Sequence, residues 1–212
     1  MRKIFGHRGL PHIYEENTFK SLNKAQEICD FVETDVRITK DGELVLYHDA
    51  EIQTQKIEEL SLSDINELID IEISEIHLIS RKQIKGNTNF ELKISSKDDD
   101  LNKVFLEKII NLTNSEDIVS SFDWEIILNN RESFKSKYGI LIDKENQLFE
   151  SKAMSNLDEK LMFMVEKEIF YSRNFDLPLE RCVVWTVNDK GEINSVLNMN
   201  VYGVVTDIGD KL

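Results

Sequence analysis

The 212-residue chain is short of proline, with only Pro11 and Pro178, and of cysteine, with only Cys29 and Cys182. Without a Pro- or Gly-rich joint there is no linker to divide it. A chain of this length is expected to form one domain over residues 1–212, with two small domains as the alternative. The cysteines stand in apolar surroundings without metal-ligand spacing, so buried free thiols are expected. Long apolar runs are also missing, and none nears the roughly 20 residues that cross a bilayer. Met1-Arg2-Lys3 leads straight into strand-like sequence without a secretory leader, which predicts a cytoplasmic location. Basic residues are scarce as well: 26 Lys and Arg face 40 Asp and Glu, for a net charge of −14. That argues against nucleic acid as a partner, since phosphate-backbone binding needs a basic footprint. It argues equally against stable association with anionic membranes. A phosphate-bearing ligand would have to be held by a local positive site, and the sequence assigns no oligomeric state.

What is present is ordinary for a globular protein, 41% hydrophobic and 31% charged. Short apolar strands alternate with amphipathic helices. Strand-like runs fall near residues 3–7, 31–37, 88–93, 117–121, 138–142, 161–165, 181–187 and 201–206. Helical stretches run from Thr18 to Cys29, Leu101 to Leu112, Asp123 to Arg131, Leu157 onward, and Asp189 to Leu197. Eight strands in such alternation are the pattern of a parallel α/β fold and favour a closed (β/α)8 barrel. One segment departs from it. "ITKDGELVLYHD" reads as a β-hairpin extension of the second strand, turning at Asp41-Gly42. With those two as the loop residues, paired positions sum to 83 and Asp35 faces His48.

Several residues at strand ends carry chemical potential. Glu33 and Asp35 share one face of the second strand by period-2 alternation. Burying both is costly unless they are paired or hold a cation; the alternative is a solvated strand end. Glu91 and Lys93 share a face of the third barrel strand, either as a structural ion pair or as part of a site. Three carboxylates at the C-terminal ends of neighbouring strands would suit one hard divalent cation, Mg2+ or Ca2+. Zinc is disfavoured without a cysteine cluster. Of four histidines, His7 and His48 end strands, whereas His12 and His77 read as surface residues. Two imidazoles beside a metal-bound phosphoryl group fit general acid/base catalysis. Arg8 offers a planar donor fork for phosphate oxygens, and Gly9 permits a tight strand exit or a close backbone approach. In Glu16-Asn17-Thr18, Asn17 or Thr18 is expected to cap the first helix. Glu16 could orient His7 or Arg8. Phe122 and Trp185, at the fourth and seventh strands, either fill the core or wall the apolar side of a substrate pocket.

These motifs together resemble the glycerophosphodiester phosphodiesterase family. The chain has, in family order, His7-Arg8-Gly9, Glu16-Asn17-Thr18, Glu33-Thr34-Asp35, Thr39-Lys40-Asp41-Gly42, His48-Asp49 and Glu91-Leu92-Lys93. Ser121-Phe122, Trp185-Thr186-Val187-Asn188 and Gly203-Val204-Val205-Thr206-Asp207 extend the likeness over almost the whole length. The resemblance implies a (β/α)8 barrel and a divalent cation. It also implies hydrolysis of glycerophosphodiesters to glycerol 3-phosphate and an alcohol, a role in lipid and glycerol metabolism. Glu33, Asp35 and Glu91 would hold the metal, His7 and His48 would form the acid/base pair, and Arg8 and Lys93 would contact phosphate. The glycerol 2-hydroxyl would attack first, giving a cyclic phosphate that water opens. Three departures stand out. Glu15 replaces a proline, the segment after Asp49 is shortened to "AEIQTQKIEELSLSDINEL", and "EISEIHLIS" replaces an Ile-Pro-x-Leu-x-Glu stretch. All three bear on the choice of alcohol rather than on the reacting groups. Two other readings remain: a lyase that stops at the cyclic phosphate, and a barrel that binds a phosphodiester without turning it over.

Overall fold

The structure, a computed structural model, describes residues 2–68, 74–76 and 83–212. In chain order its elements are β1 (Lys3–Gly6), α1 (Phe19–Ala25), β2 (Phe31–Ile38), β3 (Leu44–Leu46), β4 (Glu51–Ile52) and β5 (Gln55–Lys56). There follow α2 (Leu62–Leu68), β6 (Ser74–Ile76), β7 (Thr88–Leu92), α3 (Asp99–Leu112), β8 (Ile118–Ser121), α4 (Trp124–Asn129) and β9 (Lys137–Ile142). The chain ends with α5 (Gln147–Met154), β10 (Leu161–Glu166), α6 (Lys167–Phe170), β11 (Cys182–Trp185), α7 (Lys190–Asn198) and β12 (Gly203–Thr206).

Eight of these strands, β1, β2 and β7 to β12, pair in parallel in that order, and β1 closes the ring by pairing with both β12 and β2. This is the expected (β/α)8 barrel. Period-2 alternation divides its side chains cleanly. Phe5, Phe31, Ile118, Leu141, Met162, Met164, Val183 and Val205 form a buried cluster of their own. Their positions mark the inner face, on which Phe5 and Phe31 stack with ring centroids 4.6 Å apart. The opposite face, with Val32, Val36, Phe90, Val184 and Val204, packs against Leu22 and Ala25 of α1, Phe105 and Ile109 of α3, and Val196 of α7. Among the described residues no helix is long and apolar enough to cross a membrane. Both cysteines are buried and free.

The inner parity runs on past the apolar cluster. Going up β2 from Phe31 it reaches Glu33 and Asp35; on β7 it reaches Glu91 and then Lys93, and past β1 and β12 it reaches His7 and Asp207. The barrel interior thus turns from apolar to charged at its C-terminal mouth, where barrels of this type carry their sites.

Two expectations need correction. The hairpin register is offset by one. Val36 pairs with Leu46, Arg37 with Val45 and Ile38 with Leu44, so Asp35 faces Tyr47, whose amide donates to the Asp35 carbonyl at 3.1 Å. The cause is a three-residue loop: Thr39 pairs with Glu43 through its amide, and Gly42, at φ +81°, supplies the left-handed residue that such a loop needs. The helix expected from Leu157 onward is absent. Its place is taken by a turn, and the helix before β10 is α5, which begins ten residues earlier. His77 and most of "EISEIHLIS" lie outside the described residues.

Candidate active site

The strand β1 ends in His7, Arg8 and Gly9. Arg8 and Gly9 both take left-handed backbone, with φ +51° and +93°. A side chain on Gly9 would collide with the Ser21 hydroxyl, so α1 packs directly against this turn. The turn swings the Arg8 amide onto Glu33, donating to Oε2 at 3.1 Å, and directs the guanidinium across the mouth. There Arg8 Nη1 donates to Glu16 Oε1 at 2.8 Å, and Nε lies 3.1 Å from Asp35 Oδ2.

Glu33, Asp35 and Glu91 are buried, and one carboxylate oxygen from each lies within 4.8 Å of the others. Asp35 and Glu91 are register partners on β2 and β7. Lys93 bridges them, with Nζ 3.1 Å from Asp35 Oδ1 and in contact with Glu91 Oε1. Glu33 differs: among the described residues its Oε1 is buried without a hydrogen-bond partner. Burial and the charge of Asp35 push the Glu33 pKa up to about 8. Burial raises Glu91 as well. Burial acts the same way on Asp35, but Lys93 and Arg8 outweigh it and hold Asp35 below the usual carboxylate range. An all-oxygen set with an orphaned buried oxygen and a surplus of negative charge fits a hard divalent cation.

His7 is fixed from the opposite side of the barrel. Its Nδ1 lies 2.7 Å from Asp207 Oδ1, just beyond β12, and its Nε2 lies 3.8 Å from Glu33 Oε2. Asp207 is held ionised: burial opposes this, but the His7 hydrogen bond lowers its pKa. Asp207 therefore accepts, Nδ1 carries the proton and Nε2 is directed into the mouth. Burial disfavours the imidazolium, yet the Asp207 hydrogen bond and the Glu33 charge outweigh it and raise the His7 pKa. Asn188 anchors Asp207 in turn, through Nδ2 to Oδ2 at 2.5 Å and by accepting the Asp207 amide at 2.8 Å.

A model of the glycerophosphoryl diester phosphodiesterase family matches residues 7–174. The chain belongs to that family. A glycerophosphodiester phosphodiesterase from Thermotoga maritima shares 28% identity at a TM-score of 0.76, with 99% of this chain and 96% of that one covered. A phosphodiesterase from Oleispira antarctica, solved in complex with the product sn-glycerol-3-phosphate, shares the fold at a TM-score of 0.77 and 18% identity, covering 100% and 95%. An uncharacterised protein of Mycoplasma genitalium is 27% identical, with 96% of this chain and 94% of that protein aligned.

The structure of this glycerophosphoryl diester phosphodiesterase family member brings the acids, Lys93, Arg8 and His7 together at one mouth. Phe122, 42% exposed, lies under Lys93, with Nζ 5.6 Å from the ring centroid. Trp185 meets Phe122 edge-on at 5.9 Å. Phe122 thus stands at the rim, whereas Trp185 is partly buried and also packs against the apolar inner cluster. Glu16 pairs with Arg8, which leaves Asp207 to orient His7. The cap of α1 is Thr18, whose hydroxyl accepts the Ser21 amide at 3.2 Å. Asn17, at φ +56°, instead reaches into the site, donating to Asp35 Oδ2 at 2.9 Å and accepting the Asp35 amide at 3.1 Å. His48 follows β3 on the rim, with Nδ1 2.8 Å from Asp49 Oδ1. His12 is exposed, as expected.

Sequence reasoning placed Asn188 and Asp207 in motifs but gave them no role, and it missed Arg37. The signal for Arg37 was available: it continues the alternation of Glu33 and Asp35, and an arginine on a fully buried strand must serve polar partners.

Proposed function

We propose that the protein hydrolyses a glycerophosphodiester to glycerol 3-phosphate and an alcohol, with one divalent cation, Mg2+ or Ca2+, held by Glu33, Asp35 and Glu91. The observation that carries this is the buried carboxylate triad bordered by Arg8, Lys93 and His7. With all three acids ionised, as a bound cation would favour, they outnumber Arg8 and Lys93 by one charge. A divalent cation would turn that deficit into a surplus of one, which a phosphodiester monoanion neutralises. When bound, the cation supplies Lewis-acid polarisation of phosphoryl oxygens.

The chain's own groups do the rest. Arg8 and Lys93 bind and orient the phosphate, Glu16 steadies Arg8, and Phe122 with Trp185 walls the apolar side. His7 and His48 serve as the acid/base pair. One imidazole takes the proton of the glycerol 2-hydroxyl as its oxygen attacks phosphorus; the other protonates the departing alcohol oxygen as that P–O bond breaks. The cyclic phosphate so formed is opened by water with the two roles exchanged, which releases glycerol 3-phosphate and restores both histidines. The Oleispira antarctica phosphodiesterase with sn-glycerol-3-phosphate bound supports this choice of product. We assign the activity to a single domain, and the free thiols suit a reducing compartment, so a cytoplasmic location is proposed.

The test is release of glycerol 3-phosphate from glycerophosphocholine, glycerophosphoethanolamine and glycerophosphoglycerol, with Mg2+, with Ca2+ and with chelator. Release that chelator abolishes is the expected result. A cyclic phosphate that accumulates would establish a lyase instead, and no consumption of any diester would leave a binding barrel.

A further inference from the structure

Resting on that reading, we propose that Arg37 is a positioning residue that holds His48 and Lys93 in one frame and ties the shortened segment after Asp49 to the reaction centre. Its side chain is buried. Nε and Nη2 both donate to the His48 carbonyl, at 3.1 and 2.5 Å. Nη1 donates to the Lys93 carbonyl at 3.4 Å and to the Ser95 hydroxyl at 3.2 Å. One rigid fork thus grips the backbone at two residues that follow different strands, β3 and β7. The Ser95 hydroxyl donates onward to Glu58 Oε2 at 2.9 Å, and Glu58 belongs to the short 3-10 turn Ile57–Glu59 within the segment after Asp49.

This arrangement answers a structural need. His48 lies past the end of β3, where the ladder no longer fixes its backbone, and its partly exposed ring is hydrogen-bonded to the adjacent, exposed Asp49. Lys93 likewise follows the last residue of β7. Neither position is rigid by sheet pairing alone, although the Lys93 amide does donate to the Val36 carbonyl at 3.0 Å. A planar guanidinium fixes distance and orientation between two carbonyls together. A lysine ammonium in its place keeps the charge but cannot reproduce the fork. Displacement of a reacting group by about 1 Å can cost about 10²-fold in rate.

The experiment compares Arg37→Lys and Ser95→Ala with wild type. Histidine ring signals are followed by NMR in protein labelled with 15N-histidine and assigned with His48→Asn. kcat, KM and Mg2+ affinity by calorimetry are measured alongside. For Arg37→Lys we expect the His48 ring signals to move or broaden while those of His7 stay in place. With activity present, kcat should fall about 10- to 100-fold, with KM changed less than about 3-fold and Mg2+ affinity less than about 2-fold. Ser95→Ala, which removes one leg of the fork and the Glu58 link, should lower kcat about 2- to 5-fold with the same split. Unmoved His48 signals, or rescue of wild-type kcat by lysine, would overturn the proposal. So would a uniform loss of kcat, KM and Mg2+ affinity in either variant. Should Arg37→Lys fail to fold, an unchanged kcat in Ser95→Ala overturns it. The ring signals do not depend on turnover, so a wild-type protein inactive on every diester would refute the hydrolase reading and leave this test standing.

Discussion

Glu33 keeps one oxygen buried and, among the described residues, without a hydrogen-bond partner, while its neighbours Asp35 and Glu91 share Lys93. Such an oxygen is costly unless a cation meets it. Glu33→Gln is therefore expected to weaken Mg2+ or Ca2+ binding by about 10-fold or more, read by calorimetry. His7→Ala and His48→Ala should each lower kcat by about 10²-fold or more while leaving cation affinity nearly unchanged, in steady-state assays paired with the same calorimetry. Near-wild-type turnover in either would remove that residue from the mechanism. Much of this was legible in the residues themselves, because acids and imidazoles at strand ends have few purely structural uses. What stayed hidden was the division of labour between neighbours. Glu16, Asn17 and Thr18 read as one motif, yet one pairs with Arg8, one grips Asp35 and one caps α1. Only the left-handed backbone of Asn17 separates their directions, and a lone asparagine codon does not announce that turn.

Among the elements, those with strict alternation or strong caps were found within one or two residues: β2, β7, α3 behind Asp98, and α7 behind Asp189, whose carboxylate accepts the Glu192 amide at 2.8 Å. The failures have local causes. A Gly at the third loop position and a Gly at the second cannot be told apart from Asp41-Gly42 alone, so the hairpin slipped by one. The short α5 escaped notice because Phe149, 83% exposed, interrupts its apolar stripe. At the N-terminal end of the barrel the polar contacts serve stability rather than chemistry. The Tyr138 hydroxyl, on β9, donates to Asp158 Oδ2 at 2.8 Å. Tyr138→Phe should cost about 1 kcal/mol at neutral pH. Asp158 is held below its ordinary pKa, first by the Lys160 amide and, against some burial, by Tyr138. A lowered carboxylate stabilises above its unfolded pKa and loses that contribution as pH falls through its folded value. The gap between wild type and Tyr138→Phe in thermal melts should accordingly narrow under acid, hold through neutral pH, and narrow again in strong alkali, where the buried Tyr138 phenol, its pKa raised by burial and by Asp158, resists the ionisation open to the unfolded chain.

For the whole molecule, one parity rule connects fold and site: inner positions are apolar at one end of the barrel and charged at the other. The eightfold alternation made the barrel readable, whereas the pairing of β1 with both β2 and β12 could not be read from any local pattern. Cation binding should act on the fold as a unit. At about 100 times its Kd, Mg2+ would add about 2.7 kcal/mol of stability, a rise of roughly 5–10 °C in Tm for a chain of this size. Melts with and without chelator check this, and an unchanged Tm would speak against a resident cation. The bond from His7 to Asp207 joins residues 200 positions apart, and β1 finds its second neighbour only in β12. On the ribosome, every other proposed participant, from Arg8 to Trp185, is synthesised before Asp207. A chain that stops short of β12 would carry the proposed phosphate-binding groups and the carboxylates while His7 lacks the partner that orients it. On the proposed mechanism the acid/base pair is complete only once β12 has docked beside β1, so a chain halted before Asp207 should be inert.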